Sequence, residues 1–260
     1  MDCIQEIREK LSVYSLSSCL GLIHDIPAKP LYFRAGGGNR TACGKAFTVK
    51  AYDAIGYNAF QCSGKDDFVV VAARGNPRIV WGGIGSKLVA RRGGAGVVVD
   101  GGLIGEHDAA SLDMPTYFRF SSSATAKHCV DNELNVPVEL TARSDGSAVT
   151  VNPGDIVAAD AEGIVVIRPS DIEAVVSRAR YVEVIARFVW GVHGGRPELD
   201  DLGSIPGYPD FWREKGSLPD EQESLAYVHY YAALRKDPRT RRDVEGIART
   251  LFPGVEELFE

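Results

Sequence analysis

The sequence contains no apolar run that approaches the ~18–20 residues of a membrane-spanning helix. Its five cysteines are odd in number, scattered and without C-x-x-C spacing, which argues against a disulfide framework and a zinc knuckle. Positive charge is not in excess: the formal net charge of −6 disfavours nucleic acid as a partner. The amino-terminal segment is charged and helical in pattern, unlike a secretion signal. We therefore expect a cytoplasmic protein with neither a membrane nor a nucleic-acid partner.

The composition that is present, 260 residues with 45% hydrophobic and 25% charged, is typical of one large or two small globular domains. Short apolar segments alternate with helical patterns and turns as far as residue 189. From residue 190 onward the chain has Pro/Gly-rich connectors and helical segments rich in aromatic residues, with helices predicted over 220–234 and 244–251. The sequence thus predicts a core domain, 1–189, and a helical, aromatic-rich extension, 190–260.

The stretch from Val80 to Asp108 is the best candidate for the centre of a site. It predicts a glycine-rich turn, a short helix, a second glycine turn and an apolar strand over Gly96–Val99, followed by Asp100 and two glycines. Ligands bind at the carboxyl ends of strands in α/β proteins, so Asp100 is a candidate site residue. The alternative is an ordinary strand-to-loop exit, with Asp100 capping the segment after it.

Four further side chains are candidates for chemistry or binding. Glu106 and His107 could act as acid, base or ligand, because histidine titrates near neutrality, but acidic residues there also suit the first turn of a helix. Arg119 lies near the end of a strand predicted over Thr116–Phe120 and could bind a carboxylate bidentately or form a structural salt bridge. Lys50, at the end of another predicted strand, could bind a carboxylate or simply be exposed.

The motifs of the central stretch resemble those of the family that contains the 4-hydroxy-4-methyl-2-oxoglutarate aldolases and the regulator of ribonuclease activity A (RraA). Members carry a Gly-(Glu/Asp) pair that is followed, twenty residues later, by an Arg-Asp pair. Just before that arginine they carry Gly-x-x-Gly, then three apolar residues, then Asp-Gly. Here Trp81-Gly82, Gly93-Gly94-Ala95-Gly96 and Asp100-Gly101 follow that pattern. Two more blocks, 43–49 and 149–166, resemble other family signatures in the same order, and the resemblance covers roughly residues 12–180.

The resemblance implies an α/β fold with a layered β core of the swivelling β/β/α type, flanked by helices, to which this chain adds its helical C-terminal extension. It also implies a lyase that acts on a small 2-oxo acid, with Mg²⁺ or Mn²⁺ as the usual cofactor. Family members are commonly homotrimers with sites between subunits, so a homo-oligomer is expected here.

Three charged residues of the family motif are replaced in this chain. The family's acid falls on Gly83, its arginine on Ile104 and its aspartate on Gly105. Magnesium needs oxygen ligands, and stabilisation of an enolate needs a nearby cation. We therefore expect a divergent member without a resident metal or other cofactor.

The leading hypothesis is a metal-independent, lyase-like enzyme acting on a small carboxylate- or carbonyl-bearing substrate. C–C cleavage, decarboxylation, dehydration, isomerisation and cyclisation all remain open as its reaction. The predicted catalytic residues are Asp100, Glu106 and His107, and the predicted substrate-binding residues are Arg119, Lys50, Gly82, Gly83, Ile104 and Gly105. One alternative is a non-catalytic binding or regulatory protein on the same scaffold. Another is a metal-dependent 2-oxo acid aldolase or oxaloacetate decarboxylase with a rebuilt site.

Overall fold

The computed structural model describes residues 2–24, 34–36, 41–51, 57–125, 132–141, 148–195 and 238–256. They belong to two compact units, one drawn from Met1–Glu9 and Lys29–Ile172 and the other from Lys10–Ala28 and Glu173–Glu260. The expected domain boundary after residue 189 stays a prediction, and the helix predicted over 220–234 lies outside the described residues. Within the described ranges, no helix has the length and apolar character needed to cross a membrane.

The described elements alternate between strands and helices along most of the chain. The strands are β1 (Arg34–Gly36), β2 (Ala42–Lys50), β3 (Asp67–Gly82), β4 (Gly96–Ile104), β5 (Thr116–Ser121), β6 (Glu133–Leu134), β7 (Val138–Thr141), β8 (Ala148–Val151), β9 (Ile156–Asp160) and β10 (Gly163–Ile167). The helices are α1 (Cys3–Lys10), α2 (Val13–His24), α3 (Tyr57–Cys62), α4 (Gly83–Arg91), α5 (Glu106–Ala110), α6 (Ile172–Gly195) and α7 (Pro238–Leu251).

The first unit is built on an eight-stranded sheet in the order β1-β5-β4-β3-β2-β9-β10, with β6 also paired to β2. Strands β2 to β5 are parallel, whereas the pairings of β1, β6, β9 and β10 are antiparallel. Strands β7 and β8 form a separate antiparallel pair. Parallel strands need crossover connections, and α4 and α5 lie in the chain between β3, β4 and β5. The expected α/β fold with a layered β core and helices is confirmed.

Both faces of the central sheet are buried, which explains why its strands read as apolar runs rather than alternating ones. Phe68, Val70 and Val98 point to the face that packs against β7 and β8. Val69 and Val97 point to the opposite face. Fully burying a side chain of this size contributes about 1.5–3 kcal/mol relative to leaving it exposed, so the two apolar clusters hold the layers together.

Strand β4 does not end where the sequence predicted. The strand expected over Gly96–Val99 continues to Ile104, so Asp100 lies inside the strand rather than in an exit loop. The two glycines after Asp100 let the neighbouring backbone of β3 approach closely. If residue 102 carried a side chain, its Cβ would lie only 2.4 Å from the carbonyl oxygen of Arg78. The glycines that predicted a loop therefore serve close backbone packing within the sheet.

The second unit contains a buried carboxylate, Glu183 of α6. Its Oε2 accepts hydrogen bonds from the Ser12 backbone N–H at 3.1 Å and from the hydroxyls of Ser12 at 2.7 Å and Ser15 at 2.5 Å. Its Oε1 accepts one from Arg187 Nε at 2.9 Å. Burial alone would raise the pKa of Glu183, but these donors outweigh it and lower the pKa below its ordinary value. The carboxylate therefore ties the start of α2 to α6.

Candidate functional site

The carboxyl ends of β3 and β4 meet at four residues, Gly82, Gly83, Ile104 and Gly105, which we call the glycine rim. Gly82 pairs in register with Ile104, so the two strand ends are neighbours. Helix α4 begins at Gly83, and α5 begins one residue after Gly105, which has a left-handed φ of 75°. The structure thus brings together four predicted substrate-binding residues at the strand edge where α/β proteins place ligands.

Helix α4 is pressed tightly onto the sheet beneath the rim. A Cβ on Gly85 would lie 2.5 Å from the Phe60 ring and 2.9 Å from the Trp81 ring, so only glycine fits there. Trp81 Nε1 donates to the Ser86 hydroxyl at 3.0 Å, and the Ser86 and Thr116 hydroxyls are 3.1 Å apart. These contacts fix the amino-terminal turn of α4 at the rim.

Glu106 and His107 stand at the start of α5, directly after the rim. The predicted helix start is confirmed, because α5 runs over Glu106–Ala110 with acidic residues in its first turn. The Ser121 hydroxyl donates to Glu106 Oε2, and Ser121 pairs in register with Leu103 of β4. Glu106 is therefore held near the carboxyl ends of both β4 and β5, while His107 is exposed.

Asp108, which was not among the predicted site residues, covers two glycines of the rim. A Cβ on Gly83 would lie 2.7 Å from Asp108 Cβ and 3.4 Å from its Oδ2. A Cβ on Gly105 would lie 3.1 Å from the same oxygen. The Asp108 carboxylate thus fills the space into which side chains at positions 83 and 105 would project. Its proximity to the two glycines depends on how α5 packs against the start of α4, so no pattern in the sequence pointed to it.

Asp100 is fully buried and bonded through both of its oxygens. Oδ1 accepts from Arg119 Nε at 2.5 Å, and Oδ2 accepts from the backbone N–H and hydroxyl of Thr141 at 3.0 and 3.1 Å. The Arg119 side chain is itself only 18% exposed. The pair thus links β4 to β5 and β7, and the roles predicted for Asp100 in catalysis and for Arg119 in substrate binding stay predictions.

Lys50 lies in an ion pair at the end of β2. Its Nζ is 2.6 Å from Glu133 Oε1, and β6, which carries Glu133, pairs with β2 at this point. Lys50 also pairs in register with Ala72, which precedes Gly82 by ten residues along β3. The ion pair gives Lys50 a local structural role, and its predicted role in substrate binding stays a prediction.

The side chains at the rim do not supply the ligands that Mg²⁺ or Mn²⁺ requires. Two of the positions where the resemblance places charged groups are glycines, and the third is Ile104, so none offers a side-chain oxygen. Across the described parts of the chain, no group of three or more His, Cys, Asp and Glu side chains is arranged to hold a metal ion. The four rim residues therefore do not reproduce the metal ligands that the resemblance implies, and the expected absence of a resident metal stays a prediction.

The fold and the rim define an α/β protein whose candidate ligand site lies where two parallel strands end beside helix amino termini. The chain belongs to the RraA-like family (Aldolase/RraA), whose sequence pattern matches residues 24–166. It is 30% identical over 149 residues to an uncharacterized protein of Methanocaldococcus jannaschii, covering 54% of this chain and 67% of that one.

Two other comparisons show the range of functions named within the family. A Halalkalibacterium halodurans protein that is provisionally named a 4-hydroxy-4-methyl-2-oxoglutarate aldolase is 29% identical over 115 residues, 44% of this chain and 52% of its own length. This chain therefore spans only about half of that relative. A solved structure from Streptomyces coelicolor, described as an unusual member of the RNase ES inhibitor RraA protein family, matches with a TM-score of 0.58. It is 23% identical and covers 72% of this chain and 95% of that chain, which shows the shared fold alone.

Proposed function

We propose that this chain is a divergent, lyase-like enzyme that acts at the glycine rim on a small carbonyl-bearing substrate, by acid/base chemistry and without a resident metal. The observation that carries the proposal is the placement of two titratable side chains, Glu106 and His107, directly after the rim. The bond from Ser121 orients the Glu106 carboxylate at the strand ends. A positioned acid or base typically accelerates proton transfer by about 10²–10⁴-fold.

In this proposal Glu106 accepts a proton from the substrate and His107 donates one. Retro-aldol cleavage and dehydration next to a carbonyl pass through an enol or enolate, so an acceptor for the hydroxyl or α proton and a donor serve both of them. Decarboxylation of a β-keto carboxylate releases CO2 and needs only the donor, which protonates the enolate. Asp100 has no exposed surface, so any part it takes in catalysis would have to act through Arg119. The aldolase name of the Halalkalibacterium halodurans relative supports lyase chemistry. The proposal also includes a cytoplasmic location and a homotrimeric assembly. Analytical ultracentrifugation of the purified protein would test the assembly.

A non-catalytic binding protein is the second candidate, and exposed apolar side chains at the rim favour it. Ile84, in the first turn of α4, is 79% exposed, and Ile104 is 46% exposed. Exposed apolar surface of this kind can mark a protein-binding site. The Streptomyces coelicolor structure is described as an unusual member of the RNase ES inhibitor RraA protein family. That description supports a regulatory role as the second candidate.

Turnover assays distinguish these functions. The substrates are oxaloacetate, 4-hydroxy-4-methyl-2-oxoglutarate and 4-hydroxy-4-methyl-2-pentanone, an uncharged analogue in which methyl groups replace both carboxylates. Each is incubated with Mg²⁺, with Mn²⁺ and with EDTA, and pyruvate or acetone release is measured. We expect turnover of at least one substrate that persists in EDTA. Activity that EDTA abolishes would instead support the rebuilt metal-dependent site.

Substitutions of single residues test whether the catalytic proton transfer takes place at the rim. We expect Glu106→Gln to reduce kcat by about 10²-fold or more, because it removes the proton acceptor while keeping the shape of the side chain. Glu162→Gln, at the exposed turn between β9 and β10, makes the same chemical change away from the rim and should leave kcat unchanged. Absence of turnover in every condition would reject the enzyme and favour the binding protein.

A further inference from the structure

We propose that Asp108 is a specificity-determining residue that makes the glycine rim select uncharged carbonyl compounds over 2-oxo acids. The inference rests on the proposed function, because it concerns the substrate class of the same site. Asp108 is exposed, and its carboxylate lies over Gly83 and Gly105 at the ends of β3 and β4. Its side chain therefore stands where a substrate that approaches the rim would meet it.

The position of Asp108 places an anion at the amino-terminal end of α4. A helix amino terminus attracts anions, because its first N–H groups lack partners within the helix. The N-cap residue of α4 is Gly82, which has no side chain that could cap the helix. The Asp108 carboxylate lies beside the first residue of that helix, so the protein itself provides the negative charge that a substrate carboxylate would otherwise bring.

The charged groups around the rim offer a substrate carboxylate little compensation. The segments around the rim, Ile79–Ser86 and Gly101–Asp108, contain neither lysine nor arginine, and the nearest lysine along α4 is Lys87, one helical turn after Gly83. They carry acids at Glu106 and Asp108 and one histidine, His107, which is exposed. Two cations predicted to bind substrate, Arg119 and Lys50, are bonded to Asp100 and Glu133.

The remaining exposed side chains at the rim are apolar. Ile104 belongs to the rim and Ile84 directly follows Gly83, and both side chains are exposed. An uncharged carbonyl compound with an aliphatic substituent could bury that substituent against them without placing two like charges together. Like charges about 4 Å apart at a protein surface reduce affinity by about tenfold or more.

Calorimetric binding of a matched pair of probes tests the inference. The probes are 4-methyl-2-oxopentanoate and 4-methyl-2-oxopentanamide, which share the ketone and the isobutyl group and differ in charge. We expect the wild-type protein to bind the amide about tenfold more tightly than the acid. Asp108→Asn should remove that preference by improving the Kd of the acid about tenfold, since asparagine keeps the packing against Gly83 and loses the charge.

Asp113→Asn is the matched control, because it removes the same charge from an exposed position just before β5, at the amino-terminal end of that strand. It should leave the preference unchanged. Wild-type protein that prefers the acid, or an equal response to both substitutions, would overturn the inference and leave the proposed function standing. Failure of every variant to bind either probe, together with no turnover in the assays above, would reject the proposed function and this inference with it.

Discussion

Replacing Asp100 with asparagine should destabilise the protein strongly, because it leaves the largely buried Arg119 guanidinium without its counter-charge. Asp100 is fully buried, and the Arg119 side chain is 18% exposed. Breaking a buried ion pair by removing one partner costs about 3–5 kcal/mol. In a chain of this size 1 kcal/mol corresponds to about 2–4 °C, so the Tm should fall by roughly 6–20 °C. The asparagine amide has one acceptor oxygen, so it can accept from Thr141 or from Arg119 but not from both, and the loss includes hydrogen bonding as well as charge.

Thermal unfolding followed by circular dichroism measures this loss, with Asp113→Asn as an exposed control that should stay within about 0.5 kcal/mol of wild type. A double variant, Asp100→Asn with Arg119→Met, removes both charges and should recover part of the lost stability, since buried pairs replaced together are often close to neutral. A loss below about 1 kcal/mol in the single variant would refute the reasoning. A stable double variant without turnover would indicate that the Asp100–Arg119 pair serves catalysis or substrate binding as well as packing.

Two further predictions concern stability elsewhere in the chain. Glu183→Gln should lower the free energy of unfolding at pH 7 by about 2–4 kcal/mol, because its hydrogen bonds are to a charged carboxylate. The pKa of Glu183 is lowered by folding, so this stability is present above the ordinary glutamate pKa and is lost as the pH falls through the folded value; a difference from wild type that stays constant from pH 7 to strong acid would contradict it. Gly85→Ala should cost about 1–3 kcal/mol through its contact with Phe60, measured by urea unfolding. Gly246→Ala in α7, where a new Cβ meets nothing within 4 Å, should stabilise by about 0.5–1 kcal/mol, and a shift of the same sign in both variants would refute this account.

Individual strands could be predicted from the sequence because their apolar runs and turns are local signals, whereas the fold was implied by the family resemblance. The strand predicted over Thr116–Phe120 corresponds to β5. The end of β4 was predicted wrongly, because Asp-Gly-Gly reads locally as a turn. Asp100 stays inside the sheet because Arg119 and Thr141, which lie 19 and 41 residues away, satisfy its charge. Local patterns carry no information about partners at that separation.

The candidate site could be predicted only in part. The resemblance located the glycine rim, and the structure brings its residues together at one edge of the sheet. The family motif has charged residues at the positions of Gly83 and Gly105. The motif does not indicate which side chain occupies that space in this chain. Asp108 was overlooked because its relation to Gly83 depends on how α5 packs against the start of α4. Close packing of this kind follows from three-dimensional geometry rather than from spacing along the chain.

The hydrogen bonds that join Ser12 to Glu183 also constrain when the second unit can form during synthesis. The two residues are 171 positions apart, and the long segment Lys29–Ile172 between them belongs to the first unit. At about 5–20 residues per second, the ribosome needs roughly 10–35 seconds to make that interval. Helix α2 therefore emerges early and waits for α6, while the parallel sheet between them has time to fold first. Until Glu183 has been made, the donors of Ser12 and Ser15 at the start of α2 lack the carboxylate that binds them in the folded protein.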